Sequence, residues 1–385
     1  VIALALFNPE NHEQLVEAPW RPAAIEAAIR EIVSETEAAF ADGWPAHPED
    51  EPEPVRFRGV YLGGAGVIRA LDELQRRGLV ELERDYVPYL EQDYVPDEPE
   101  HDHPPSLLAG ETGIRLMLQR LEPSSANAER LAELIAANAT DEHRELLWGS
   151  PGTMLAAAEL HRSTGEARWA ELWRESAAWL EDERDPGTGV WTQVIRGREA
   201  HYLGPAHGFA GCILALAALT PPPDIDEHAA AVARRYVVEE DGLANWPPLT
   251  DSGLRAPDGK IRVQWCHGAP GIVTSLAGLA PDDAEHDRLL RAGGELTWRA
   301  GPLAKGPGLC HGTAGNGYAF LALLERTGDE RWLERARAFA PHAAAQVAQA
   351  RDTYGRGRFT LWTGDPGVAL YLADCLAGRG TLPLP

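Results

Sequence analysis

Cysteine is scarce in this chain: four residues in 385, too few and too scattered for a disulfide framework. Two of the four stand beside histidines, a pattern that points to metal binding in a reducing compartment, so a cytoplasmic location is expected. Basic charge is in deficit too. A net charge of −24 at pH 7 argues against nucleic acid or an anionic membrane surface as a partner. Long apolar runs are missing. The longest, Cys212 to Leu219, falls far short of the roughly 18–20 residues of a spanning helix. The opening stretch Val1 to Phe7 is apolar, but it lacks the basic flank and the length of a secretory signal. No interdomain linker interrupts the chain. With 44% apolar residues it can bury a sizeable core, and a single domain over residues 1–385 is expected. Nothing in the sequence indicates an oligomeric state.

Glycine, by contrast, is placed with regularity. A Gly-x-x-G step begins at Gly63, Gly110, Gly149, Gly208, Gly268, Gly312 and Gly364, with spacings of 47, 39, 59, 60, 44 and 52 residues. Periods of this size mark repeated supersecondary units. Each step is followed by a run that is apolar nearly all round, as buried helices are. Between these runs lie amphipathic segments at 22–40, 127–139, 166–183, 225–238, 283–297 and 330–350. A weaker seventh, 78–92, is interrupted by Pro88. The pattern predicts an all-α fold, an α/α toroid with seven inner helices inside about seven outer ones. The outer layer starts near residues 22–40 and the repeats fill about 57–376. Glycine at each inner helix start allows a tight turn and close backbone approach. All seven starts then face one end of the barrel, where residues distant in sequence converge. Segments 93–105 and 239–262 read as long loops, and His101 and His103 in the first of them as solvated.

Two of the seven steps carry extra chemistry: Trp265-Cys266-His267-Gly268 and Leu309-Cys310-His311-Gly312. Zinc takes thiolate and imidazole in tetrahedral geometry, and a catalytic site keeps three protein ligands and one open position. Cys266, Cys310 and His311 supply such a set. His267 is either a fourth ligand, which would close the site, or a neighbour that orients the others. Plain burial of both Cys-His pairs is the bland alternative. His207, in Pro205-Ala206-His207-Gly208, stands at the same rim as an acid/base or as a structural cap. Arg262 and Lys305 flank the cysteines. They either hold an anion or oxyanion or make ordinary surface pairs. Glu145 orients His207, binds a substrate amine or is merely solvated. Cys212 and Cys375 fall inside apolar runs and read as buried. Trp148, Trp265 and Trp362 are expected to wall the cavity mouth, and Asp365 to cap its helix.

These motifs, over about Phe57 to Leu376, resemble the lanthionine synthetase C-like proteins. The resemblance implies a toroid whose zinc is held by Cys266, Cys310 and His311, with His207 as the acid/base. It also implies that Arg262 matches an active-site arginine of the cyclases, and Lys305 a lysine of the eukaryotic-type branch that assists thiol-peptide and phosphate chemistry. Dedicated cyclases carry Asp where this chain has Glu145, and often an aromatic residue where it has His267. The chain is therefore closer to the stand-alone eukaryotic-type branch, whose members add glutathione to dehydrated Ser or Thr in proteins. With no dehydratase-like extension, it is expected to act alone.

The expected function is zinc-dependent thioether formation. A thiol, from glutathione or a peptide Cys, adds to dehydroalanine or dehydrobutyrine in a dehydrated peptide or protein. A zinc-stabilised module that binds thiols or modified peptides without turnover is the competing reading. Zinc could also activate water for hydrolysis. Carbohydrate processing would call for a pair of carboxylates at the rim, and only Glu145 and Asp365 stand there.

Overall fold

The computed structural model describes residues 5–96 and 102–384. Among them helices dominate: α1 (Pro22–Ala38), α2 (Gly64–Arg76), α3 (Val87–Leu90), α4 (Glu111–Leu121), α5 (Ser125–Ala137), α6 (Ser150–Thr164), α7 (Ala167–Asp182), α8 (Phe209–Ala217), α9 (Ile225–Tyr236), α10 (Ala269–Leu276), α11 (Ala284–Ala300), α12 (Thr313–Thr327), α13 (Arg331–Tyr354) and α14 (Asp365–Ala377). Every even-numbered helix starts directly after the first glycine of a Gly-x-x-G step. Each packs on the next, and α14 packs on α2, so these seven close into a ring. The odd-numbered helices lie outside it: α5 on α4 and α6, α7 on α6, α9 on α8, α11 on α10, α13 on α12, and α1 on α14. This is the expected all-α toroid.

The weak seventh outer helix is corrected. Only the four residues of α3 are helical in the 78–92 region. Gly78 turns left-handed (φ 70°) behind α2, and Pro88 has no N–H to extend a helix through it. Segment 239–262 is likewise not all loop. There β3 (Val238–Glu240) pairs with β4 (Leu243–Asn245), as β1 (Gln193–Ile195) pairs with β2 (Arg198–Ala200). Both hairpins turn on two left-handed residues, Arg196-Gly197 and Asp241-Gly242, the geometry that matches strand twist.

Close approach, more than unusual torsion, explains the repeated glycines. A Cβ at the second glycine of every step would run into the carbonyl six residues earlier, from Val60 against Gly66 to Leu361 against Gly367. Of the seven first glycines only Gly268 has a positive φ, 107°. No inner helix has a side-chain N-cap bond from its cap residue. The loop backbone does that work. The first amides of α2, α4, α8, α12 and α14 donate to Phe57, Pro104, Tyr202, Gly306 and Arg358, each seven residues back. The remaining two use buried side chains: Asn245 Oδ1 accepts from Ala269 N at the start of α10, and Glu145 serves the turn before α6. Indoles pin the outer layer to the loops. Trp44, Trp191 and Trp246 each donate to a carbonyl near the C-terminal end of α1, α7 and α9 (Thr36, Leu180 and Ala233), satisfying acceptors that a helix end leaves open.

Candidate active site

The repeat brings equivalent positions into register around the barrel mouth. Two residues before each first glycine stand Tyr61, Leu108, Leu147, Ala206, Cys266, Cys310 and Trp362. Five of these are laced together by backbone: Cys266 N donates to Cys310 O (3.1 Å), Cys310 N to Trp362 O (2.8 Å), Trp362 N to Tyr61 O (3.4 Å) and Tyr61 N to Leu108 O (2.8 Å). The next residue in each repeat gives a second row, which includes Trp148, His207, His267 and His311. Neighbours in that row meet: Trp148 stacks on His207 with centroids 5.8 Å apart, and His207 lies 6.3 Å from His267.

The first row supplies the cysteines and the second the imidazoles. One ligand atom each from Cys266, Cys310 and His311 fall within 4.8 Å of one another. Both cysteines are buried, and all four cysteines of the chain are unpaired. The Cys310 thiol donates to Cys266, which outweighs burial and holds the Cys266 thiol well below its ordinary range, helped by the charges of His267 and His311. Gln264 Nε2 adds a bond to Cys266 Sγ at 2.9 Å. Sharing that proton and its own burial push the Cys310 thiol up, while the Tyr61 hydroxyl bond and the Lys305 charge draw it back. Two soft sulfurs, one already favoured as thiolate, and an imidazole are a donor set that suits a thiophilic cation.

His267 stays outside that set. Its Nδ1 is buried without a hydrogen-bond partner among the described residues, and its ring faces Tyr202 and His207. Burial lowers its pKa, and the His207, Arg262 and His311 charges add to this against the pull of Cys266.

Glu145 is not solvated; it is fully buried. Its Oε1 accepts from Trp148 N and Gly149 N, and its Oε2 from Leu147 N (3.0 Å) and from His207 Nδ1 (3.0 Å). The left-handed Arg144 (φ 47°) turns the chain just before it. Burial draws the His207 pKa down, but the Glu145 bond and charge, with the charge of Cys266, more than offset this and leave it above its usual value. The Nδ1 bond leaves Nε2 as the ring's remaining proton site.

The two cations stand further out. Arg262 is partly exposed and donates to Asp258 at 2.6 Å, so the surface pair expected as one alternative does form. Lys305 is exposed and makes no ion pair among the described residues.

Three expectations are corrected. Trp265 and Trp362 are fully buried and pack on each other at 4.6 Å, so they belong to the core; only Trp148 stays at the rim. Asp365 accepts from Arg358 N across the preceding loop and does not cap α14, whose N-cap is Gly364. His103 is held by Asn138 and Asp141, while His101 lies outside the described residues. Cys212 and Cys375 are buried as expected. Tyr61, which the motifs did not single out, occupies the same repeat position as the two cysteines; reading the repeat by register would have found it.

The lanthionine synthetase C-like protein family model matches residues 60–382. The chain belongs to this family. Among curated relatives, "Glutathione S-transferase LANCL1" of Danio rerio is 39% identical over 30% of this chain and 29% of its own length. "LanC-like protein GCL1" of Arabidopsis thaliana is 31% identical over 51% of this chain and 46% of its own. The chain thus matches less than half the length of either. Among solved structures, nisin cyclase aligns with a TM-score of 0.62 at 16% identity, over 91% of this chain and 94% of that one, a likeness of fold. No helix among the described residues is long and apolar enough to cross a membrane.

Proposed function

We propose that this lanthionine synthetase C-like protein is a zinc-dependent enzyme that forms thioethers by adding a thiol to a dehydroalanine or dehydrobutyrine residue of a dehydrated peptide or protein. Glutathione is the leading thiol donor and a peptide Cys the other. The observation that carries this reading is the convergence of Cys266, Cys310 and His311 beside a buried Glu145–His207 pair. Zinc held by these three residues would keep an open position at which a thiol binds as thiolate.

The chain's own residues supply the remaining chemistry. As the substrate sulfur bonds to the β-carbon of the alkene, the π electrons move toward the carbonyl and leave an enolate. His207 Nε2 delivers a proton to the α-carbon, which balances the one lost by the thiol. Glu145 fixes the His207 tautomer by accepting a hydrogen bond from Nδ1–H, and it stabilises the charged ring. Arg262 holds the developing oxyanion, and Lys305 an anionic group of the thiol donor. The three backbone amides account for the burial of Glu145, but they do not call for the imidazole of His207 on its remaining oxygen site.

The test is turnover of glutathione with a dehydroalanine peptide by the wild type and by Cys310→Ala. Loss of thioether product and of bound zinc together in the variant is the expected result. Equal turnover by the two proteins would refute a thiolate bound at the cysteines.

A further inference from the structure

Outside the cysteine site, a second set of ligating side chains converges. His103, Asp141 and His143 each offer one atom within 4.8 Å of the others. His143 Nδ1 lies 2.7 Å from Asp141 Oδ1, and His103 Nε2 lies 3.3 Å from Asp141 Oδ2. Ligands at zinc-like bond lengths of about 2.0–2.2 Å stand roughly 3.3 Å apart around a tetrahedral ion. The His103 distance matches this, while the His143 contact, made to the other Asp141 oxygen, must lengthen from 2.7 Å. All three side chains are mostly buried, at 25%, 13% and 25% exposure for His103, Asp141 and His143.

The surroundings keep the set in place. Asn138, which ends α5, donates from Nδ2 to Trp148 O and Thr153 Oγ1, so its Oδ1 accepts from His103 Nε2 at 2.8 Å. This bond positions the ring, and an ion at Nε2 must displace its proton. Asp141 also accepts from His143 N, which fixes the turn that carries both residues. A cavity of about 220 Å³ opens onto the set, walled by Trp148 and the tip of the β1–β2 hairpin, with Asp102 and Glu142 as further carboxylates. Trp148 neighbours both sets: its ring lies 5.8 Å from His143 and 5.8 Å from His207.

We propose that His103, Asp141 and His143 form a second metal site, for a divalent transition ion such as Zn²⁺ or Co²⁺, at the outer side of the barrel mouth. Two imidazoles and one carboxylate favour such ions over Mg²⁺ or Ca²⁺, which take oxygen ligands. The ion would replace the protons that the histidines now share with Asp141 and Asn138. It would tie the segment leading into α4 to the turn that carries Glu145, and leave one coordination position toward the cavity.

Equilibrium dialysis of the full chain against Zn²⁺, with metal counted by mass spectrometry, tests this. A parallel Co²⁺ titration separates the sites, because only the cysteine site gives a thiolate-to-cobalt absorption band. The wild type is expected to hold two ions. His103→Gln with His143→Gln should hold one and keep the thiolate band. Cys310→Ala should keep the ion that gives no such band. If the histidine pair is needed for folding, Asp141→Asn decides: weaker binding of the second ion by about tenfold or more, with the thiolate band intact, supports the site. A wild type that holds one ion and shows the full thiolate band, or an Asp141→Asn protein that binds the second ion unchanged, overturns it; one ion without the band overturns the cysteine site instead.

Discussion

Exchange of Glu145 for glutamine keeps the shape of the side chain and removes its charge. In the native protein the two carboxylate oxygens accept four bonds: Trp148 N and Gly149 N at Oε1, Leu147 N and His207 Nδ1 at Oε2. An amide has one oxygen, so one side of the pattern must face an NH₂ group. Hydrogen bonds to a charged acceptor are worth about 1.5–3 kcal/mol each. With one side retained in weaker form, the expected loss of stability is about 2–4 kcal/mol. The chemical effect is separate. His207 would accept at Nδ1, its supporting charge would be gone, and burial would draw its pKa down unopposed by Glu145. As a proton donor His207 works below its pKa, so the alkaline fall in thioether formation should begin at lower pH in Glu145→Gln. General acid catalysis contributes about 10²–10⁴-fold, and a drop in kcat of at least about 100-fold near pH 7 is expected. Stability carries its own sign. A histidine whose pKa is raised on folding contributes stability that is complete below the ordinary 6.5 and is lost as pH climbs through the folded value. The wild type should therefore lose more stability than the variant across that window. Rate profiles of glutathione addition and urea unfolding over the same pH range measure both effects. An unshifted alkaline limb with a kcat within about threefold of wild type would refute the role given to the pair.

Tyr61→Phe removes the hydroxyl that bonds Cys310; metal affinity should fall by about tenfold in a chelator competition, with thermal stability nearly unchanged. Gly315→Ala places a methyl group against the Leu309 carbonyl beside Cys310, and a loss of roughly 3 kcal/mol or more, or failure to fold, should be seen by circular dichroism. Burial pushes the Asp365 carboxyl from 3.8 up to about 7, with Arg351 opposing. Its contribution to stability is then complete below pH 3.8 and is lost as pH rises toward 7, by roughly 4 kcal/mol at most. Asp365→Asn should flatten that part of the pH–stability curve in chemical denaturation.

The toroid was legible because glycine is required at every second step position by a carbonyl that leaves no room for a Cβ. That constraint writes itself into the sequence seven times. The cysteines and His311 were legible for the same reason, being marked residues at a marked register. Glu145 was named, but its burial was not readable, since nothing local tells that its carboxylate turns inward to serve backbone amides instead of water. The two buried tryptophans were misplaced because Trp265, three before its glycine, and Trp362, two before its own, turn inward and pack on each other, whereas Trp148, one before its glycine, stays at the mouth. Tyr61 escaped notice because its repeat carries no cysteine, although its register matches that of Cys310; Asn245 escaped because its bond to Ala269 N reaches across 24 residues and no motif marks it. The pairing of Arg262 with Asp258 was one of two open alternatives that composition could not separate.

The backbone lacing from Cys266 through Cys310, Trp362 and Tyr61 to Leu108 has a consequence for how such a centre can change over time. Main chain, not rotamer choice, sets the spacing of the first row, so its side chains are letters in fixed sockets. The second row turns with it, one letter per repeat, as Trp148, His207, His267 and His311 show. A change at one socket alters what the mouth presents without moving its neighbours. The frame can therefore keep its pair of sulfurs while the letters beside them are rewritten for another substrate.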